Sequence, residues 1–150
     1  MKTQSMLAFA ALSVALAGGL SAGFVRAQDP NDPMLTPDAL AKANGETIYE
    51  HVCQGCHMPD GRGATGAGTY PALAENAHLA SAQFTAVTVA LGRRNMPHFA
   101  AQPELGGFEA FVTLHLDDRQ IAEVVNYVRS HFGNHYTDEV TAADIAALHR

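Results

Sequence analysis

The two cysteines of this 150-residue chain stand three positions apart and are followed at once by a histidine, in Cys53-Gln54-Gly55-Cys56-His57. With no third cysteine to pair with, this pentapeptide admits few chemistries. A disulfide across it would close a very small loop and constrain the unfolded chain little. A zinc site needs four ligands, and the remaining histidines do not stand at suitable spacings. A thioredoxin-like dithiol needs a strand–helix–strand setting, which the surrounding sequence lacks. The remaining reading is C-x-x-C-H, the attachment signature of haem c. Two thiols within one helical turn match the spacing of the haem vinyl groups. A histidine directly after them presents its imidazole to the iron from the same side. Cys53 and Cys56 are therefore the expected thioether residues of one covalently bound haem c, and His57 an expected iron ligand.

The N-terminus fits this chemistry, because haem is attached to such motifs outside the cytoplasmic membrane. Lys2 precedes an uncharged run from Met6 to Val25 rich in Ala, Leu and Val, and Val25-Arg26-Ala27 supplies small residues for a signal peptidase. Residues 1–27 are expected to be a signal peptide cleaved before Gln28. A retained anchor is the rival reading, since about 20 apolar residues can span a bilayer. Against it, Gly18, Gly19, Ser21 and Gly23 dilute the far end of the run. No cysteine near the junction could carry a lipid. The expected location is the periplasm, with membrane contact only if the segment is retained.

Cleavage would remove Lys2 and Arg26 but no acid, leaving 7 basic against 15 acidic residues and a formal charge of −8. Haem propionates would add to that. Such a chain has no general basic face for nucleic acid or anionic lipid.

Residues 28–37 (QDPNDPMLTP) hold three prolines and read as a tether. Helical composition follows over Asp38–Ala43 and Glu46–Val52, interrupted at Asn44-Gly45, and returns over Ala80–Leu91, Asp117–Phe132 and Thr141–His149. In the fourth of these segments Ile121, Val124, Val125 and Val128 form a core-facing stripe, with Asp117 or Asp118 to cap its start and Gly133 to end it. Gly61–Gly68 (GRGATGAG) is a glycine-rich loop. Only Ala110–Leu116 (AFVTLHL) resembles a strand, and one short strand makes no sheet. The expected class is all-α, with a domain over 38–136 and a helical extension over 137–150.

With these residues in view, the chain resembles the class I bacterial cytochromes c over most of residues 44–133. NGETIYEHVCQGCH carries a glycine (Gly45) and an aromatic (Tyr49) ahead of the haem motif, and IAEVVNYV is similar to the family's closing helix. The resemblance implies the cytochrome c fold: helices wrapped around one haem, with N- and C-terminal helices crossing. Val124 and Tyr127 would lie at the crossing. Gly45 has a physical reason there, since two helix backbones approach closely only where a side chain is absent.

The resemblance also implies a sixth ligand. Met96 in GRRNMPHF resembles the family's distal methionine and lies 39 residues after His57. His98 is the second candidate and His78 the third. Met58 adjoins His57 and cannot reach the other face of the ring, while Met34 lies in the tether. Pro71, in Tyr70-Pro71-Ala72-Leu73, occupies the place of the proline whose carbonyl accepts the proximal histidine's Nδ1 proton. Leu73, Val89 and Phe99 are candidate haem-wall residues, and Arg93 and Arg94 candidate propionate partners. The stretch 106–116 (GGFEAFVTLHL) is longer than in many small relatives, and suits a cover over the haem edge or a docking surface.

Met/His ligation closes both axial positions and suits electron carriage rather than catalysis. The implied function is to carry single electrons from a periplasmic dehydrogenase to a downstream cytochrome or terminal oxidase. The protein would serve either as a soluble acceptor or as the dehydrogenase's own cytochrome subunit. A haem enzyme or gas sensor with a weak or absent distal ligand is the alternative.

Overall fold

The computed structural model describes residues 36–66, 68–101 and 114–149. The expected signal peptide, the tether up to residue 35 and residues 106–113 of the inserted stretch lie outside them.

Helix α1 (Pro37–Ala41) begins where Thr36 Oγ1 accepts from the Ala39 amide at 3.2 Å, with proline in the first turn where its missing N–H costs nothing. The next helix starts at the pair expected to interrupt it. Asn44 is its N-cap, with Oδ1 accepting from Thr47 N at 2.9 Å. It runs as α2 (Gly45–Ile48), a π-helical turn (Tyr49–Cys53) and α3 (Gln54–His57). A 3₁₀ turn (Ala77–Ala80) leads into α4 (Ala82–Leu91), and α5 (Asp118–Ser130), the longest helix among the described residues, follows. A capping box opens α5: the Gln120 amide donates to Asp117 Oδ1 and the Asp117 amide to Gln120 Oε1, each at 2.7 Å. The chain closes with α6 (Ala142–Ala146) and a 3₁₀ turn (Ala147–His149).

The expected stripe of α5 is the centre of the core: Ile121, Val124, Val125 and Val128 are at most 5 % exposed. Ile48 and Tyr49 of the haem-motif helix and Ile145 of α6 complete it. At the crossing of α2 with α5, a Cβ on Gly45 would lie 2.7 Å from Tyr127 Cβ and overlap the Glu123 carbonyl oxygen. Glu123 and Tyr127 therefore make the close approach, while Val124 is buried beside them.

The glycine-rich loop contains a short antiparallel ladder that the sequence does not signal: β1 (Ala64–Thr65) pairs with β2 (Thr69–Tyr70), Ala64 opposite Tyr70. Two residues per strand form no layer, and the fold remains all-α. Of the expected strand Ala110–Leu116, residues 114–116 are described, and Leu116 makes a single parallel bridge to Ala100. Among the described residues no helix is long and apolar enough to cross a membrane.

Residues 137–149 pack back onto α5. Asn126 exchanges two hydrogen bonds with the Val140 backbone, both at 2.9 Å, and Ile145 is fully buried. Arg129, 1 % exposed, donates from Nε to the Leu79 carbonyl at 3.0 Å, from Nη2 to Asp138 Oδ1 at 2.6 Å, and from Nη1 to the Asp138 carbonyl. A buried guanidinium is tolerable because each arm has an acceptor. The Arg129 hydrogen bond holds the Asp138 carboxyl below its ordinary range. A depressed carboxyl stabilises the fold above its unfolded pKa, near 4, and that contribution is lost as pH falls through the folded value. Amide protection over residues 136–146, measured against the intrinsic exchange rate at each pH, should therefore fall below about pH 4 before the core opens. In Asp138→Asn that protection should be low already at neutral pH, with little acid dependence.

Candidate functional site

The site begins with the helix that carries the two thiols. Cys53 packs against the core from the π-helical turn, and Cys56, one turn on, is exposed. Burial, then the neighbouring Cys56, pushes the Cys53 thiol up to about 12. It is therefore a poor thiolate at neutral pH, unlike the low-pKa cysteine of a dithiol oxidoreductase. Among the described residues no three His, Cys, Asp or Glu side chains converge, as a zinc site would require.

His57 ends the helix and is 8 % exposed. Its Nδ1 lies 2.9 Å from the Pro71 carbonyl oxygen, which can only accept, so this nitrogen carries the proton. In the neutral tautomer with this bond, Nε2 is the nitrogen whose lone pair can take a metal. The glycine loop holds this arrangement from below. Gly63 donates to the His57 carbonyl at 3.0 Å, and the Gly61 carbonyl accepts from Leu73 and Ala74 at 2.7 and 2.9 Å. Gly63 has φ +65°, and a Cβ there would lie 2.7 Å from the Pro71 carbonyl carbon. Only glycine supplies that backbone at no steric cost.

Above the helix terminus, Met58 adopts φ +65° and its carbonyl accepts from Tyr49 Oη at 2.7 Å. Tyr49 is in turn wedged between Tyr127 and Phe132, with ring centroids 5.7 and 4.7 Å away. Burial, chiefly, pushes the Tyr49 hydroxyl up to about 12, so it remains a donor. Tyr49 stands out in the sequence, but its lock on the strained turn after His57 does not. Asn134 has no sequence signal for its role. Its Nδ2 lies within 2.8–2.9 Å of the Leu73, Val128 and His131 carbonyls, and its Oδ1 accepts from the Asn76 amide at 3.0 Å. It ties the end of α5 to the segment following Pro71. An asparagine after Gly133 reads only as a turn residue.

Met96 closes a four-residue turn: Arg93 N donates to the Met96 carbonyl at 3.1 Å and Met96 N to the Arg93 carbonyl at 3.0 Å. Arg94 takes φ +57° within it, a conformation with a cost for a side chain of this size. The loop is pinned to α4 where Phe99 and Ala100 donate to the Val89 and Ala90 carbonyls at 3.2 and 3.0 Å. Met96 and His98 are half-buried. Leu73, Val89 and Phe99, named as haem-wall candidates, are partly buried apolar residues at the edge of the core. Arg93 extends its guanidinium over the Phe84 ring, 5.6 Å from the centroid, and Arg94 is exposed. His78 is exposed in the 3₁₀ turn, its ring 6.4 Å from that of Phe84.

The family model for cytochrome c matches residues 42–132. The chain belongs to the cytochrome c family. With the C-x-x-C-H spacing at Cys53 and Cys56, this makes it a carrier of one covalently attached haem c, and the free lone pair of His57 fits that group.

Similar proteins include the cytochrome c subunit of alcohol dehydrogenase (quinone) of Gluconobacter oxydans strain 621H. It is 34 % identical over 106 residues, which cover 69 % of this chain and 21 % of the relative. The fructose dehydrogenase cytochrome subunit of Gluconobacter japonicus is 33 % identical over 95 residues, 61 % of this chain and 19 % of the relative. The gluconate 2-dehydrogenase cytochrome c subunit of Pantoea cypripedii is 29 % identical over 137 residues, 83 % of this chain and 30 % of the relative. The alignments thus span a fifth to a third of these relatives' lengths.

Proposed function

We propose that this cytochrome carries single electrons from a periplasmic dehydrogenase towards the respiratory chain, with His57 and Met96 as axial iron ligands. The observation that carries the proposal is the 2.9 Å contact between His57 Nδ1 and the Pro71 carbonyl. It fixes the tautomer, aims Nε2 away from Pro71 and makes the imidazole a stronger ligand. The haem, when bound, supplies reversible one-electron chemistry at its iron. The chain's own residues hold and shield that chemistry. Cys53 and Cys56 tether the ring, Met96 is offered from a turn pinned to α4, and Leu73, Val89 and Phe99 exclude water.

With His57 and Met96 both holding the iron, no coordination site would be left for a substrate. The protein therefore passes electrons and transforms no substrate itself. The names of its relatives, all cytochrome subunits of dehydrogenases, favour a dehydrogenase as donor. A downstream cytochrome or terminal oxidase is the acceptor. The proposed boundaries are a signal peptide over 1–27, a tether over 28–37, the haem domain over 38–136 and the extension over 137–150. Export places the protein in the periplasm.

The test is reduction of the purified holoprotein by periplasmic and membrane fractions of its native bacterium. Alcohol, fructose or gluconate is supplied in turn, and the haem spectrum is followed. One of these substrates should drive stoichiometric reduction. The mature chain is acidic, so a basic face on the donor would speed encounter, and salt would screen that gain over a Debye length of ~8 Å. Uptake should therefore slow as ionic strength rises. An uptake that quickens with salt contradicts the steering. Binding of carbon monoxide by the reduced native protein would instead favour an enzyme or sensor with an open distal position.

A further inference from the structure

Residues 76–103 hold no Asp or Glu, in a chain with 15 of them. This acid-free stretch is α4 together with the methionine loop, and the outer side of α4 is unusual in a second way. Phe84 and Leu91 are 42 % and 41 % exposed. They stand seven residues apart on one side of the helix, with half-buried Val87 and Thr88 between them. Thr88 turns its hydroxyl back onto the Phe84 carbonyl at 2.8 Å, so it adds little polarity to that side. Ala86 and Ala90, on the opposite side, are the residues that join the core. The stripe thus has the i, i+3, i+4, i+7 spacing of a packing face, yet it points away from the protein's own core.

Cations border the stripe at its C-terminal end. The Arg93 guanidinium lies 5.6 Å from the Phe84 ring centroid, and Arg94 is exposed beside it. Neither pairs with a carboxylate among the described residues. The other arginines there are engaged: Arg62 with Asp60, Arg119 with the Ala41 and Ala43 carbonyls, and Arg129 with Asp138. Arg94 also keeps φ +57°, which glycine would take at less cost. An arginine retained in such a backbone points to a use for its side chain. Apolar area bordered by unpaired cations fits a protein that brings apolar area bordered by carboxylates. Most of the remaining surface charge is acidic and would repel such a protein. We propose that the α4 face docks an acidic protein that accepts the electron, while the basic donor binds on the acidic remainder of the surface. This rests on the electron-carrier reading above, in which Met96, two residues from Arg94, is the distal ligand. In the transfer the bound haem iron loses one electron and the acceptor's centre gains it, with no bond made or broken. Charge sorts the two partners onto different faces, so donor and acceptor do not compete for one.

The test uses the holoprotein with membranes of its native bacterium. Reduction by the donor is followed without oxygen, and reoxidation after oxygen is admitted. Leu91 is exposed, so its charge can be varied without disturbing the core. Leu91→Glu should slow reoxidation about tenfold relative to Leu91→Lys at low ionic strength, and the two rates should converge as salt screens the charge. Reduction by the donor should be slowed by neither. Equal reoxidation rates in the two variants at low salt overturn the proposal. So does a slowing of both limbs alike, which would mean one shared face. A native dimer that Leu91→Glu dissolves would make a second copy the occupant, and overturns it too. Hexacyanochromate(III), a paramagnetic trianion, probes the native face without any variant. In proton–nitrogen spectra of the ferrous holoprotein it should broaden the amides of residues 91–95 before those of the acidic faces, and broadening without that preference overturns the proposal. Failure of the carrier reading is separately visible, because the membranes would then neither reduce nor reoxidise the unaltered protein.

Discussion

Met96→Ala is expected to abolish the sulfur-to-iron charge-transfer band of the oxidised protein and to lower its reduction potential. Thioether is a soft ligand that favours ferrous iron, and Met/His ligation is associated with raised potentials in cytochromes c. The position of the side chain follows from the backbone rather than from sulfur chemistry. The reciprocal Arg93–Met96 bonds and the two bonds from Phe99 and Ala100 to α4 hold residue 96 whatever its identity. Alanine there should consequently leave the fold standing and remove only the proposed ligand, so far-ultraviolet circular dichroism should change little. Met58→Ala is the matched control. Its backbone caps the proximal helix and its side chain follows His57 directly, so the band should survive. If His98→Ala removes native ligation and Met96→Ala does not, the ligand is His98.

Gly45→Ala should be among the most damaging single-methyl changes in the described part of the molecule. In an isolated helix the substitution helps by about 1 kcal/mol. Here the added carbon would meet the Glu123 carbonyl oxygen and lie 2.7 Å from Tyr127 Cβ. Both are atoms that move only with the backbone of α5. Separating the helices would loosen the contact of Tyr49 with Tyr127 and the core around Ile48 and Val125. Overpacking of this kind costs roughly 1–3 kcal/mol. Because the backbone itself must move, a net loss of about 2–3 kcal/mol is expected, lowering Tm by roughly 10–20 °C. Calorimetry of the holoprotein measures it. An unchanged Tm would mean that the crossing is not a tight one.

The features legible in the sequence are those whose signal is local. C-x-x-C-H needs nothing beyond five adjacent residues. The α5 stripe is a period, and all four of its named members are buried. Gly45 is legible because glycine weakens a helix, a cost that a close crossing of two backbones offsets. Asn44-Gly45 reads as a break but starts a helix, because the same asparagine that favours a turn also makes a good N-cap. The π-helical turn at Tyr49–Cys53 and the small ladder in the glycine loop have no compositional mark. Arg129 illustrates the deeper difficulty. In the last turn of a helix a basic residue reads as a surface partner for the macrodipole. Its burial depends on the Leu79 carbonyl, 50 residues earlier, and on Asp138 beyond the helix end. His115 lies in what reads as a strand, and the burial of its Nδ1 without a hydrogen-bond partner emerges only from three-dimensional packing.

The clasp around His57 bears on speed as well as on ligation. Its ring nitrogen is held by Pro71, its carbonyl by Gly63, and Gly63 in turn lies against the Pro71 carbonyl. The imidazole is thus oriented by contacts that depend on neither metal nor charge state. When an electron arrives or leaves, a ring fixed in this way has little room to tilt or slide. Prearranged dipoles that need not reorganise keep the barrier of a charge-changing step low. For the proposed electron carrier, the glycines of a plain-looking loop would thereby bear on the rate of exchange, by limiting how far the His57 ring could move between the two oxidation states.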